Sequence, residues 1–417
     1  MKPEPVLPAG RGVGARATKP HVMHVVGTLG AGGVQRLILG VAATEAGQAY
    51  RHSVLCLFGD SGSLSESFRR AAIPVGSCAV PWPSTLDLGS YRLSRFVRQR
   101  LAWLFPFRFA REIGRRGADL VHTHVSHRID LQAEGAVRRA GVPLLWTIHG
   151  QYHPEGRELE RWRKATRLVS EKSGGISAVA EELARDFRAR GLDHPDGISI
   201  TRGGVELSAF LHRRQRDPLW RDRWKIPPHA VVFGSCGRLV TEKAYEVFVR
   251  AAGRIVAEGA DAHFVIAGRG PLEAQLRAEI ARGALEGRFH LAGFVDDVPG
   301  FLRELDVFVL SSRFEGFPVA LVEALAAERP CIATSIGGIR EMVGAQGALV
   351  VSPESAEDLA AAMRQMLSPQ TRAGYAARGP QVARRFSIDH TAEGFSAMYE
   401  RLLTAEGSPN RKHGKVN

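Results

Sequence analysis

From His21 onward the chain alternates between short apolar runs rich in β-branched residues and longer stretches whose apolar positions recur at helical spacing. In the first half the β-type runs are His21–Gly27, Ser53–Phe58, Asp119–His122, Leu144–Ile148 and Gly197–Thr201. Amphipathic stretches at Val34–Gln48, Leu64–Ala72, Leu131–Ala140, Leu159–Lys172 and Glu181–Arg190 separate them. The rhythm breaks between Arg202 and Ala230, in a polar, Arg-rich segment ending in Pro227-Pro228. It resumes with β-type runs at Val231–Cys236, Ala262–Ala267, Arg288–Ala292, Asp306–Leu310, Pro330–Ala333 and Ala348–Val351. Helical stretches there include Tyr245–Glu258, Leu272–Arg282, Val319–Ala327, Ser355–Leu367 and His390–Leu403. Strands alternating with helices predict parallel, doubly wound sheets, and the break predicts two of them.

The expected architecture is α/β: two Rossmann-like domains facing across a cleft, with the carboxyl ends of both sets of strands pointing into it. A length of 417 residues suits two cores better than one. The reading divides the chain into a disordered arm (1–20), a first domain (21–207), a linker (208–230) and a second domain (231–385). A C-terminal helix (386–404), able to pack back on the first domain, and a polar tail (405–417) complete it.

Composition narrows the picture only modestly. Hydrophobic residues make up 44% and charged residues 24%, as in soluble globular proteins. The densest apolar run, Leu101 to Phe107, is too short to cross a bilayer, and the N-terminus carries no apolar stretch of a secretion signal. Cys56, Cys78, Cys236 and Cys331 are scattered in apolar settings, which predicts buried thiols in a cytoplasmic protein. A net charge of +13 suits anionic partners without choosing among them.

The candidate chemistry lies where strands lead into helices. Gly27-Thr28-Leu29-Gly30-Ala31-Gly32-Gly33-Val34 would let backbone amides approach a phosphate at a helix N-terminus, though a plain glycine-rich turn has the same composition. A dinucleotide fingerprint begun at Gly30 fails at Gln35. In Gly237-Arg238-Leu239-Val240-Thr241-Glu242-Lys243, two cations on one loop can reach a single diphosphate, Arg238 as a fork of donors and Lys243 as a point charge.

The element Glu315-Gly316-Phe317-Pro318-Val319-Ala320-Leu321-Val322-Glu323 follows an apolar strand. Pro318 suits a first helical turn, and the amides of Phe317 and Val319 are expected to be free for an anion. Two carboxylates so spaced can accept hydrogen bonds from different hydroxyls of one extended ligand. Glu323 is flanked by apolar residues, so it should be buried and in need of a partner. Trp146-Thr147-Ile148-His149-Gly150 ends a strand and directs His149 to the cleft or, equally, into its own turn. For His122 and His124 acceptor-side or structural roles are expected, because no ligand spacing supports a zinc site. Walker-type, HExxH and GxSxG motifs are missing, and so is any Asp-x-Asp pair to hold a divalent ion beside a nucleotide diphosphate. A departing diphosphate would then rely on protein cations and helix dipoles.

Taken in order, these motifs resemble the GT-B family of retaining glycosyltransferases known as family 4, or glycosyl transferases group 1, from about His21 to His390. Gly237 to Lys243, Gly268-Arg269-Gly270-Pro271, Gly293-Phe294-Val295-Asp296-Asp297, Glu315 to Glu323 and Gly337-Gly338-Ile339-Arg340-Glu341 carry the likeness. The resemblance implies that Glu315 binds donor-sugar hydroxyls and Glu323 the ribose. Arg238 and Lys243 would hold and stabilise the diphosphate, with Gly32 and Gly33 approaching it from the first, acceptor-binding domain. Gly316, Phe317 and Val319 would join the donor site, main-chain groups near Val295 would hold the base, and His149 would lie by sugar and acceptor.

It further implies a UDP- or GDP-linked donor, a glycan or lipid-linked acceptor, retention of anomeric configuration, no metal or other cofactor, and a role in cell-envelope polysaccharide or glycolipid synthesis. The chain departs from the family pattern in having Arg202-Gly203-Gly204-Val205-Glu206 near the domain junction and Ala244 after the loop lysine. Arginines interleaved with aromatic and aliphatic residues across 91–116 suit either an anionic membrane interface or an amphipathic domain helix. A catalytically inactive nucleotide-sugar-binding scaffold of the same fold is the rival reading. A nucleic-acid binder lacks a recognised module, a nicotinamide dehydrogenase lacks its glycine motif, and an epimerase or phosphorylase could share the scaffold.

Overall fold

In a computed structural model the protein is described at residues 19–30, 32–57, 59–60, 62–78, 105–125, 137, 140–150, 155–170, 174–211, 219–344 and 346–405. The expected arm up to residue 18, most of the 131–140 helix, residues 91–104 and the tail from 406 lie outside these residues.

The first sheet has seven parallel strands: β1 (His21–Val26), β2 (Arg51–Cys56), β3 (Val75–Ser77), β4 (Leu120–Val125), β5 (Leu144–Ile148), β6 (Gly175–Ala178) and β7 (Ile198–Ile200), in the order β3-β2-β1-β4-β5-β6-β7. The second has six: β8 (Val231–Cys236), β9 (Ala262–Ala267), β10 (Phe289–Gly293), β11 (Val307–Leu310), β12 (Cys331–Thr334) and β13 (Leu349–Val351), in the order β10-β9-β8-β11-β12-β13. Both orders reverse direction once, between β1 and β4 and between β8 and β11. Such switch points open a crevice at the carboxyl ends of the strands, where ligands bind in open α/β sheets. Four helices position the site: α1 (Gly33–Ala43), α2 (Tyr245–Ala257), α3 (Val319–Ala326) and α4 (Ile388–Thr404).

At β2, β4 and the 34–48 stretch, buried polar residues move the element boundaries away from the sequence reading. β2 begins at Arg51 because it pairs with His21 of β1, and His52 is buried in the sheet. β4 runs on to Val125 with His122 and His124 inside it, both buried, although a hydropathy pattern ends the strand at the first of them. The 34–48 stretch divides at Thr44, which is extended; its hydroxyl donates to the Val41 carbonyl and accepts from the Gly47 amide. β3 and β6 have no counterpart among the strands expected from the sequence, being short and containing glycine and serine.

The described ends of the expected linker, 208–211 and 219–230, are packed: Phe210, Ile226 and Ala230 are buried in the core of the second sheet. From the far end of the chain, α4 lies on the first sheet, where Ile388, Phe395, Met398 and Tyr399 share a core with Val22, Leu37 and Val41. The two crossing segments meet at Val205, whose amide donates to the Phe386 carbonyl and whose carbonyl accepts from Ile388. A Cβ at Gly204 would fall 2.8 Å from the Ile388 Cα, and one at Gly203 2.5 Å from the Phe317 ring. The departure at 203 therefore places a glycine where the Phe317 ring leaves no room for a Cβ.

Candidate active site

The loops after β1, β5, β8 and β11 converge between the sheets. After β8, the Gly237–Lys243 loop rests on the 268–270 turn so tightly that a Cβ at Gly268 would fall 1.8 Å from the Gly237 carbonyl oxygen, and one at Gly270 2.3 Å from that of Leu239. Ala244 then takes a left-handed conformation (φ 47°) as α2 begins. Lys243 Nζ reaches Glu315 Oε1 at 2.6 Å, and the Ser312 hydroxyl donates to the same oxygen at 2.6 Å. Arg238 is exposed and makes no ion pair among the described residues. Ser312 carries no distinctive signal in the sequence, being a lone serine after a strand.

Arg313 holds the two loops in register. Its amide donates to the Glu242 carbonyl, its guanidinium to the Thr241 carbonyl at 2.6 Å, and it pairs with Glu246 and Glu354.

Glu323 on α3 is 6% exposed. Its carboxylate faces Arg36 of α1 at 3.9 Å, across the domain boundary. Burial pushes its pKa up to about 7, with Arg36 opposing the shift. The sequence cue to Arg36 is its place on the first turn of α1, three residues past Gly33. The anion site at the start of α3 differs from expectation, because the Val319 amide donates to the Phe317 carbonyl at 2.9 Å and Pro318 is the N-cap rather than a first-turn residue. Likewise the Gly32 amide donates to Gly30 within its turn.

The first domain meets this loop closely. A Cβ on Gly316 would fall 1.7 Å from the His149 carbonyl oxygen, and one on Gly33 would stand 3.7 Å from Val319 Cγ2. His149, Gly316, Gly33, Val319, Arg36, Glu323, Lys243 and Glu315 are thus brought to one cleft. Val295 is placed differently: its side chain is buried in the core of the second sheet, while neighbouring Phe294 is exposed. Burial lowers the His149 pKa to about 4, so its ring is neutral at pH 7.

Residues 31–209 match the family described as Glycosyltransferase Family 4, and residues 230–369 match Glycosyl transferases group 1. The 2-deoxystreptamine glucosyltransferase of Streptomyces kanamyceticus is 28% identical over 69% of this chain and 79% of its own. The UDP-Gal:alpha-D-GlcNAc-diphosphoundecaprenol alpha-1,3-galactosyltransferase of Escherichia coli is 31% identical over 53% of this chain and 58% of its own. Among solved structures, Anabaena HepE in complex with UDP and glucose superposes with a TM-score of 0.76 at 19% identity, covering 91% of this chain and 99% of that one. Two facing parallel-sheet domains with these matches define a glycosyltransferase of the GT-B fold. The chain belongs to family 4 of these enzymes.

Proposed function

We propose that this enzyme transfers a hexosyl or N-acetylhexosaminyl group, with retention, from a UDP- or GDP-linked donor to a glycan or lipid-linked acceptor in envelope polysaccharide or glycolipid synthesis. The carrying observation is the pair of carboxylates on the 315–323 element, one held by Lys243 and Ser312, the other buried with Arg36 of the opposite domain as its ionic partner. In this reading Glu315 receives sugar hydroxyls and Glu323 the ribose. Lys243 and Arg238 take the charge that develops on the leaving diphosphate, so no metal is needed. Gly33, Gly316, Phe317 and Val319 line the donor, main-chain groups near Val295 receive the base, and Gly32 shapes the phosphate turn. His149 adjoins the sugar, and the acceptor oxygen attacks from the face the diphosphate leaves, passing its proton to a leaving phosphate oxygen.

The relatives' names support donor and acceptor class, since one specifies a UDP-sugar and a lipid diphosphate. Melting in the presence of UDP, GDP and ADP, each with and without chelator, tests the reading. One nucleotide should stabilise by ~2.7 kcal/mol at a hundredfold excess over its dissociation constant, with chelator making no difference. That shift should vanish in Lys243→Ala and Glu323→Ala. A shift seen only with added divalent ion would refute the metal-free site.

No helix among the described residues is long and apolar enough to cross a membrane. Cytoplasmic residence with peripheral contact through the basic, aromatic 91–116 segment fits a lipid-linked acceptor. Co-sedimentation with anionic vesicles should fall on charge reversal at Arg95, Arg98 and Arg100; unchanged binding would remove this contact from the proposal.

A further inference from the structure

Alternate positions of adjacent strands place a buried row of histidines under α1 and α4. His24 of β1 lies beside His122 of β4, His52 of β2 beside Val22, and His124 beside Thr147 of β5. Their rings form a continuous file: His52 Nε2 lies 2.8 Å from the Gly47 carbonyl oxygen, His52 Nδ1 2.9 Å from His24 Nε2, His24 Nδ1 3.0 Å from His124 Nε2, and His124 Nδ1 2.9 Å from His149 Nε2.

The carbonyl fixes the direction of every bond. A carbonyl only accepts, so His52 Nε2 carries the proton, and in a neutral ring Nδ1 must then accept. The same step repeats through His24 and His124, leaving each with a donating Nε2 and an accepting Nδ1. Burial holds His52, His24 and His124 below the ordinary imidazole range, which keeps the rings neutral at pH 7. Among the described residues, the titratable side chains that act on His24, His122 and His124 are other histidines. His21 acts on His52 and itself feels Arg51 and Asp119. His122 stands beside the file, its Nδ1 on the Tyr399 hydroxyl and its Nε2 on Thr147 Oγ1, both at 2.7 Å.

His24, His122 and His124 bring one ring nitrogen each within 4.8 Å of one another, a spacing that could hold a metal ion. All the ring nitrogens of these three already have hydrogen-bond partners, and an ion would have to break those bonds.

We propose that His52, His24 and His124 are positioning residues that hold His149 in the tautomer protonated on Nε2, so that ligand in the cleft meets an unprotonated, accepting Nδ1. Among the described residues that Nδ1 has no hydrogen-bond partner. A sugar or acceptor hydroxyl could donate to it. A proton gained there would leave the whole file intact, whereas one gained inside the file would set two donors against each other. The inference rests on the proposed placement of His149 beside the sugar, but the tautomer itself does not depend on ligand.

The test uses the full chain labelled with nitrogen-15 histidine and two-bond proton–nitrogen correlation spectra at pH 7, with His149→Gln identifying the His149 signals. The expected parent spectrum shows His149 protonated on Nε2. In His52→Phe, which removes the link to the Gly47 carbonyl, a mixture of tautomers is expected, with kcat down about tenfold and UDP affinity unchanged. His52→Gln, whose amide can donate to Gly47 and accept from His24, should restore both. If His52→Phe does not melt cooperatively, His24→Leu makes the same comparison. A parent protonated on Nδ1, a tautomer unmoved by breaking the file, a moved tautomer with unchanged transfer, or one zinc ion copurifying per chain would each overturn the proposal. Absence of nucleotide binding would instead strike the proposed function, while the spectra still decided the tautomer.

Discussion

At the scale of single residues, two side chains oppose their surroundings. Ala244 holds a left-handed conformation that an L-residue with a Cβ adopts at a cost of about 1 kcal/mol. Ala244→Gly is therefore expected to raise the free energy of unfolding by up to that amount, read as a higher urea midpoint, without weakening nucleotide binding. A lowered midpoint would show that contacts of its fully buried methyl outweigh the strain.

Glu323 opposes its surroundings through charge. Its pKa rises from the ordinary 4.5 to about 7, so the folded protein holds this proton more tightly than the unfolded chain. The stabilisation this brings is fully present below pH 4.5 and is lost as pH rises through 7. Glu323→Gln should remove the dependence and leave the ligand-free protein on the order of 3 kcal/mol more stable than its parent at pH 8. Parallel unfolding curves at pH 5 and pH 8 check this; equal pH dependence in the two proteins would end the argument. If ribose hydroxyls bind the ionised form, nucleotide affinity measured by calorimetry should also fall below pH 7, approaching tenfold per pH unit.

At the scale of elements, the 315–323 loop and helix work because two others fix them. Arg313 ties the start of the loop to the 241–246 turn, and Gly316 lets its middle approach the backbone of His149. Gly316→Ala adds a methyl at a point only 1.7 Å from the His149 carbonyl oxygen, and backbone must move to admit it. The cleft should then stand wider, with UDP binding at least tenfold weaker, about 1.4 kcal/mol, and little change in melting temperature. Calorimetric titration beside small-angle scattering measures both effects. Unaltered affinity would mean that this approach plays no part in forming the donor site.

At the scale of the molecule, the last helix belongs to the first core. Phe395 and Tyr399 are each 1% exposed, against Val22, Leu37 and Leu145. Ending the chain before Ile388 would uncover that face and leave His122 without its tyrosine partner. Such a truncation is expected to lose cooperative melting of the first domain. A truncated chain with the parent melting temperature would show that the helix is dispensable.

The chain's own pattern carried most of the architecture. β5, β8 and β9 begin and end where the apolar runs do, because each is bounded by polar residues or turns that a single strand period resolves. The carboxylates at 315 and 323 and the loop cations were also legible, since local spacing sets their place on a loop or helix face. Tertiary structure decided what local spacing cannot encode. Arg36 meets Glu323 only because two domains close on each other, and the glycines at 203, 204 and 316 matter only through what approaches them. The extension of β4 through two histidines depends on partners from β1, β5 and α4, distant in the chain and adjacent only in the folded sheet. A polar residue's hydropathy reports the cost of burial alone; whether hydrogen bonds offset that cost is settled only when the fold supplies the other atoms.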